Sequence, residues 1–179
     1  ALVQEVAYQT LLKSHRRDLH GRLMATLRQR SPGSLPGRIE LLAHHANCAQ
    51  DWRRAVAYGR LAARAMMSAS RNVEAIRALQ HVIAALGRLP ADRRHRERLI
   101  DGHIDLIQAS FPLGLHEQVN HHIDLALPVA EELGDERRAV RLEAYRSLHF
   151  WTIGKVAKAI SVGKKVLDIA RRNKDRELE

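Results

Sequence analysis

Aromatic residues make up only 4% of this 179-residue chain, so Leu, Ala, Val and Ile must supply the packing within a hydrophobic fraction of 45%. Cysteine occurs once, at Cys48, which excludes an intramolecular disulfide framework and fits a reducing, cytoplasmic setting. Beside small residues on a helix, Cys48 reads as a buried structural thiol rather than a nucleophile. The ten glycines and five prolines fall mostly between periodic segments, which favours helices throughout. No segment alternates with period two, so no sheet is expected. No apolar run approaches the length of a membrane span and no signal-peptide pattern is present, which excludes a membrane partner from the reading.

Acidic residues are the minority, 20 against 30 Lys and Arg, for a net charge of +10. The excess is uneven: residues 1–60 carry ten basic against four acidic side chains, and residues 121–179 carry twelve against ten. A basic N-terminal third suits nucleic acid or an acidic protein surface. Arg-rich solvated helix faces are the simpler explanation. The clusters Arg16–Arg17, Arg53–Arg54, Arg93–Arg94 with Arg96 and Arg98, and Arg171–Arg172 with Lys174 lack the interleaved aromatics of a nucleic-acid surface.

What is present is helical periodicity. Trp52, Ala55, Val56, Gly59, Ala62, Ala63 and Met66 fall on one helical stripe, and Val156, Ala159, Ile160, Gly163, Val166, Leu167 and Ala170 repeat the spacing. Stripes built partly from Ala and Gly let a neighbouring helix approach closely. About nine helices are expected: Leu2–Leu12, Ser14–Gln29 with Ser14 as N-cap, one carrying Ile39, Leu42, Ala43 and Ala46, Trp52–Ser68 capped by Asp51, one capped by Asn72 and ending at Leu86, Asp92–Ser110, Leu115–Leu133, Glu136–Thr152 and Lys155–Arg172. Pro128 falls inside the seventh and should kink it. The Pro-Gly pairs at Pro32–Gly33 and Pro36–Gly37 are the clearest break. The expected organisation is a helical segment at 1–30, a linker at 31–37, a helical repeat domain at 38–172 and a frayed tail at 173–179.

The later hairpins resemble tetratricopeptide (TPR) repeats. Ala43 with Ala55, Gly59 and Ala62 fits one repeat, Ala75, Leu79 and Val82 a second, Val119, Ile123 and Ala126 a third, and Ser147 with Ala159, Gly163 and Val166 a fourth. Val119 to Ala159 spans 40 residues and Ala75 to Val119 spans 44, both longer than the usual repeat of about 34. The resemblance implies an all-α TPR-like superhelix that binds proteins rather than catalyses. If Ala43 and Ser147 hold the small position of the first helix of a pair, His44 and Asn47, and later Leu148 and Trp151, should lie near a protein-binding groove.

The N-terminal stretch, with Ala1, Leu2, Gln4, Glu5, Ala7, Tyr8, Leu11, Leu12, Arg16, Leu19 and His20, resembles the segment that follows the ATPase module in large bacterial signalling proteins. Leu41–His45 and the Ala-rich helices after it resemble the next section. Members of that group carry a class III adenylate or guanylate cyclase domain, an AAA-type ATPase and a TPR-like tail; related tails occur on transcriptional activators. The resemblance implies a piece of a longer protein whose partners are another protein or its own upstream domains. A nucleic-acid-binding helical module of an ATPase-type regulator is the alternative. Truncated repeat ends expose apolar faces, so a dimer through them would follow from truncation.

No catalytic residue, cofactor or metal site is expected. Phosphate-loop and dinucleotide glycine patterns are absent, as is a nucleophile elbow. His44–His45 and His121–His122 are adjacent pairs, and neighbours on a helix point about 100° apart. His116 and His121 stand at i and i+5, one residue too far for the zinc signature H-E-x-x-H.

Overall fold

A computed structural model describes residues 12–29 and 35–173. Among these residues it holds eight α-helices and one 3-10 turn, with no strand. The helices are α1 (Lys13–Gln29), α2 (Leu35–Cys48), α3 (Trp52–Ser68), α4 (Asn72–Leu86), α5 (Arg93–Ser110), α6 (His116–Glu132), α7 (Glu136–Thr152) and α8 (Val156–Asn173); the 3-10 turn is Phe111–Leu113. The expected first helix and the tail beyond Asn173 lie outside the described residues. The chain divides between Pro90 and Ala91 into two units, α1–α4 and α5–α8.

Three expectations about helix starts change. α1 opens at Lys13, one residue before the expected cap Ser14. α2 opens at Leu35, so Pro36 and Gly37 belong to its first turn and not to the linker; a proline there forfeits no helical hydrogen bond. α4 has Arg71 rather than Asn72 at its N-cap, without a side-chain cap. Asp51, Asp92 and Asp135 cap α3, α5 and α7, accepting from the backbone N–H of Arg54 at 3.1 Å, His95 at 2.6 Å and Arg138 at 3.1 Å. α6 continues through the exposed Pro128.

One turn is used again and again. α2–α3, α3–α4, α6–α7 and α7–α8 are each joined by three residues whose middle member is left-handed: Gln50 (φ 57°), Ser70 (φ 58°), Gly134 (φ 64°) and Gly154 (φ 75°). The residue after it donates its N–H five places back, Asp51 to Ala46 O, Arg71 to Met66 O, Asp135 to Ala130 O and Lys155 to Phe150 O, at 2.8–3.0 Å. This is the Schellman arrangement, which satisfies carbonyls that a helix end leaves orphaned. Gly114 (φ 67°) repeats it before α6, with Leu115 donating to Ser110 O at 3.3 Å.

Because the left-handed residues recur every twenty positions within a unit, each following helix starts in the same register, and three of them bury it fully. Ala55, Gly59, Ala62 and Met66 of α3, Ala75, Leu79, Val82 and Leu86 of α4, and Val119, Ile123, Ala126 and Ala130 of α6 occupy equivalent buried places. Two such helix-and-turn steps make the 40-residue spacing seen in the sequence. The stripe predicted on α3 is buried as expected, with Trp52 half-buried. That on α8 is only partly so: Ala159, Val166 and Ala170 are buried, whereas Val156 and Ile160 are more than half exposed.

Within the first unit, α3 and α4 meet at Gly59, where an added Cβ would stand 2.6 Å from Val82 Cγ2. In the second, Ile100, Ile104 and Ile107 of α5 pack on Val119, Ile123 and Leu127 of α6 and Leu142 of α7. Arg138 ties the α7 start to α5 through Asp101 (2.7 Å) and also pairs with Asp135; these hydrogen-bonded carboxylates push its pKa further up.

Two tests follow from this geometry. Gly59→Val should destabilise the first unit by about 2 kcal/mol or more through overpacking on Val82, whereas Gly21→Ala, with open space around its Cβ position, should stabilise by about 0.5–1 kcal/mol. Gln50→Gly and Ser70→Gly remove a left-handed strain of about 1 kcal/mol each and should raise the midpoint of chemical unfolding. Urea titrations of the four variants measure both effects.

Candidate binding clefts

In each unit two helices flank a third and leave an open cleft above it. In the first unit α2 and α4 stand on either side of α3, whose Ala55, Gly59, Ala62 and Met66 form the floor. Small side chains there keep the floor low, and the cleft encloses about 500 Å³. Ala43, His44, Asn47 and Cys48 line it from α2, and Ala78, His81 and Val82 from α4. Glu40 sits at the rim, held by Arg71 at 2.9 Å.

The second cleft has the same design and a different chemistry. α6 and α8 flank α7, whose Ala139, Glu143, Arg146 and Phe150 form a floor at the register that is apolar in α3. Its volume is about 430 Å³, with Val162, Val166 and Ile169 on the α8 wall. Arg146 is engaged by Asp124 at 2.7 Å and lies 3.7 Å from Glu143. The first cleft therefore offers a small apolar floor with polar walls, and the second a charged floor with Lys165 among the apolar residues of its α8 wall.

Of the four groove residues expected from sequence, His44 and Asn47 line the first cleft. Leu148 and Trp151 lie on α7 away from the floor residues of the second cleft. They are 42% and 63% exposed, and Ile153, Val156 and Ile160 add exposed apolar surface around the following turn. The floor residues of the second cleft form no stripe of small or apolar residues that would mark them in the sequence. The shared register, read from Gly134, is the signal that locates them.

The arginine clusters are partly neutralised. Arg54 pairs with Asp51 at 2.6 Å, Arg93 with Glu97 at 3.0 Å and Arg96 with Glu132 at 3.3 Å. Cys48 is half-buried, with Sγ 3.6 Å from His44 Nε2. Burial pushes its thiol pKa up, opposite to what a thiolate nucleophile needs.

The histidines gather between consecutive helices. His20 Nδ1 on α1 meets His45 Nδ1 on α2 at 2.8 Å, and His44 adjoins both rings. His103 Nδ1 on α5 stands 3.3 Å from His122 Nδ1 on α6. His116 and His149 have ring centroids 6.0 Å apart. Apart from His44 beside His45, these pairings join different helices, so local spacing could not reveal them.

No family model matches the chain, and no curated protein matches it. Its fold is similar to the crystal structure of the nearly identical TPR-like repeats of a protein from Podosopora anserina assigned as a kinesin light chain. The similarity covers 96% of this chain and 93% of that one, with a TM-score of 0.53 at 13% sequence identity. The fold is TPR-like. Stacked TPR-like hairpins leave open clefts because each helix buries one stripe against its neighbours and turns another face to solvent.

The His103–His122 pair sets an acid limit on this fold. Desolvation, then the charges of His122 and His121, pushes the pKa of His103 down to about 4; desolvation, then His121, does the same to His122. An unfolded chain protonates these rings near 6.5. The unfolded state thus binds more protons between those values, so stability is fullest above pH 6.5 and falls as pH drops toward 4. Thermal melts across that window should show a declining Tm, and the double variant His103→Asn/His122→Asn should flatten part of the decline.

Proposed function

We propose that this chain is a non-catalytic protein-interaction domain, holding a segment of a protein partner in the first cleft and using Trp151 as a second anchor. The observation that carries the reading is the low Ala/Gly floor between α2 and α4, an open apolar trough with Asn47 and His81 at its walls. Such a trough fits an apolar peptide face and gives its backbone polar groups a partner. An exposed Trp is a typical interface anchor. The resemblance of residues 1–27 to the segment after a bacterial ATPase module supports a finer version. In that version the domain is the regulatory tail of a cytoplasmic adenylate cyclase-like signalling protein, and its ligand is another protein or an upstream domain of the same chain.

The net charge of +10 favours the alternative, a nucleic-acid-binding module of an ATPase-type regulator. The ion pairs at Arg54, Arg93 and Arg96 weigh against it, because they direct those guanidinium groups to the protein's own carboxylates.

Affinity capture from cell extract at low and high salt separates the two readings. A protein that survives high salt and is lost with Asn47→Arg, which fills the first cleft, and with Trp151→Ala is the expected result. Nucleic acid retained only at low salt, with neither variant affecting it, would replace this reading with the alternative.

A further inference from the structure

We infer that His20, His44 and His45 form a binding site for a borderline divalent transition-metal ion such as Zn²⁺, with an exchangeable fourth position. This inference goes beyond the interaction role and does not depend on it. One nitrogen from each ring lies within 4.8 Å of those of the other two. The ring centroids form a near-equilateral triangle: 5.9 Å from His20 to His44, 5.0 Å from His20 to His45 and 5.2 Å from His44 to His45.

The objection to an adjacent histidine pair is that two neighbours on one helix face different ways. The third ring removes it. His20 comes from α1 and enters the gap that His44 and His45 leave between them, so the donors converge from two helices. His20 is 8% exposed, which fixes one ligand in the packed layer, while the exposed His44 leaves a route from solvent.

The chemistry of the donor set points the same way. The group contains three imidazoles and no carboxylate. At 2.8 Å, the facing Nδ1 atoms of His20 and His45 must share a proton, one ring donating and the other accepting. When a metal ion takes that place, the donating ring carries its proton on Nε2 instead, and each Nδ1 then offers a lone pair to the ion. Around a tetrahedral ion with bonds of about 2.0–2.1 Å, neighbouring nitrogens sit about 3.3 Å apart, so the His20–His45 pair opens slightly and His44 closes by a side-chain rotation. Cys48, one turn after His44 and 3.6 Å from its Nε2, steadies that ring from behind.

Three imidazoles with an open position match the ligand preference of Zn²⁺, Co²⁺, Ni²⁺ and Cu²⁺ rather than that of Ca²⁺ or Mg²⁺. The probe is Co²⁺, followed by visible absorption, with Zn²⁺ competition, on the whole chain freed of any purification tag. The expected result is one equivalent bound with the intense absorption of a four-coordinate ion, displaced by Zn²⁺. His44→Ala and His45→Ala should each weaken binding about tenfold or more, and His81→Ala and His121→Ala should leave it unchanged. His20→Gln should also weaken binding. If that buried substitution disturbs the fold by circular dichroism, the exposed His44→Ala decides alone. Absence of saturable binding, or binding insensitive to His44→Ala and His45→Ala, would overturn the inference.

Discussion

The left-handed residue between successive helices is the constraint on which the rest of this structure depends. It reverses the chain within three residues and satisfies carbonyls at the end of the preceding helix. The next helix then starts at a fixed phase. Because the turns recur at a constant interval within each unit, the same positions of successive helices face their neighbours, and one packing solution recurs in α3, α4 and α6. The first unit holds its turns with Gln50 and Ser70, the second with Gly114, Gly134 and Gly154. Side-chain residues in the left-handed region carry a steric cost that glycine avoids, so the first unit depends more on its helix packing to keep the same geometry.

That shared phase also explains why the clefts differ chemically while having the same form. The register that is Ala55, Gly59, Ala62 and Met66 on α3 becomes Ala139, Glu143, Arg146 and Phe150 on α7. In the first, small residues draw α4 in until Val82 meets Gly59. In the second, larger and charged residues at the same places are half-buried, and Arg146 is held by Asp124. Function in a repeat fold of this kind is set by what occupies a fixed position, not by a new backbone.

Much of the architecture was legible in the sequence, for physical reasons that can be traced. The Trp52–Met66 stripe is a local period, and α3 buries it because both its neighbours are close in sequence. Asp51 and Asp92 act through contacts three residues away, within reach of sequence reading; the same role of Asp135 appears only in the structure. The turns at Gln50 and Ser70 carry no glycine and gave no signal. Val156 and Ile160 follow the helical period yet remain exposed, because periodicity says which residues share a face, not whether anything covers it. The His20 cluster was illegible for a related reason. His20 and His45 are 25 positions apart on different helices, and their meeting depends on how α1 lies on α2. His44 and Asn47 came from the TPR resemblance and line the first cleft; Leu148 and Trp151 came from the same argument and lie on a different surface of their unit.

The central claim is that the trough between α2 and α4 is where a protein ligand sits. Hydrogen exchange measured by mass spectrometry, on the chain alone and with its captured partner, tests it most directly. The account predicts slowed exchange in α2 and α4, the two helices that wall the trough, with smaller change in α3 beneath them. Protection confined to the Arg-rich start of α5, with α2 and α4 unaffected, would contradict it.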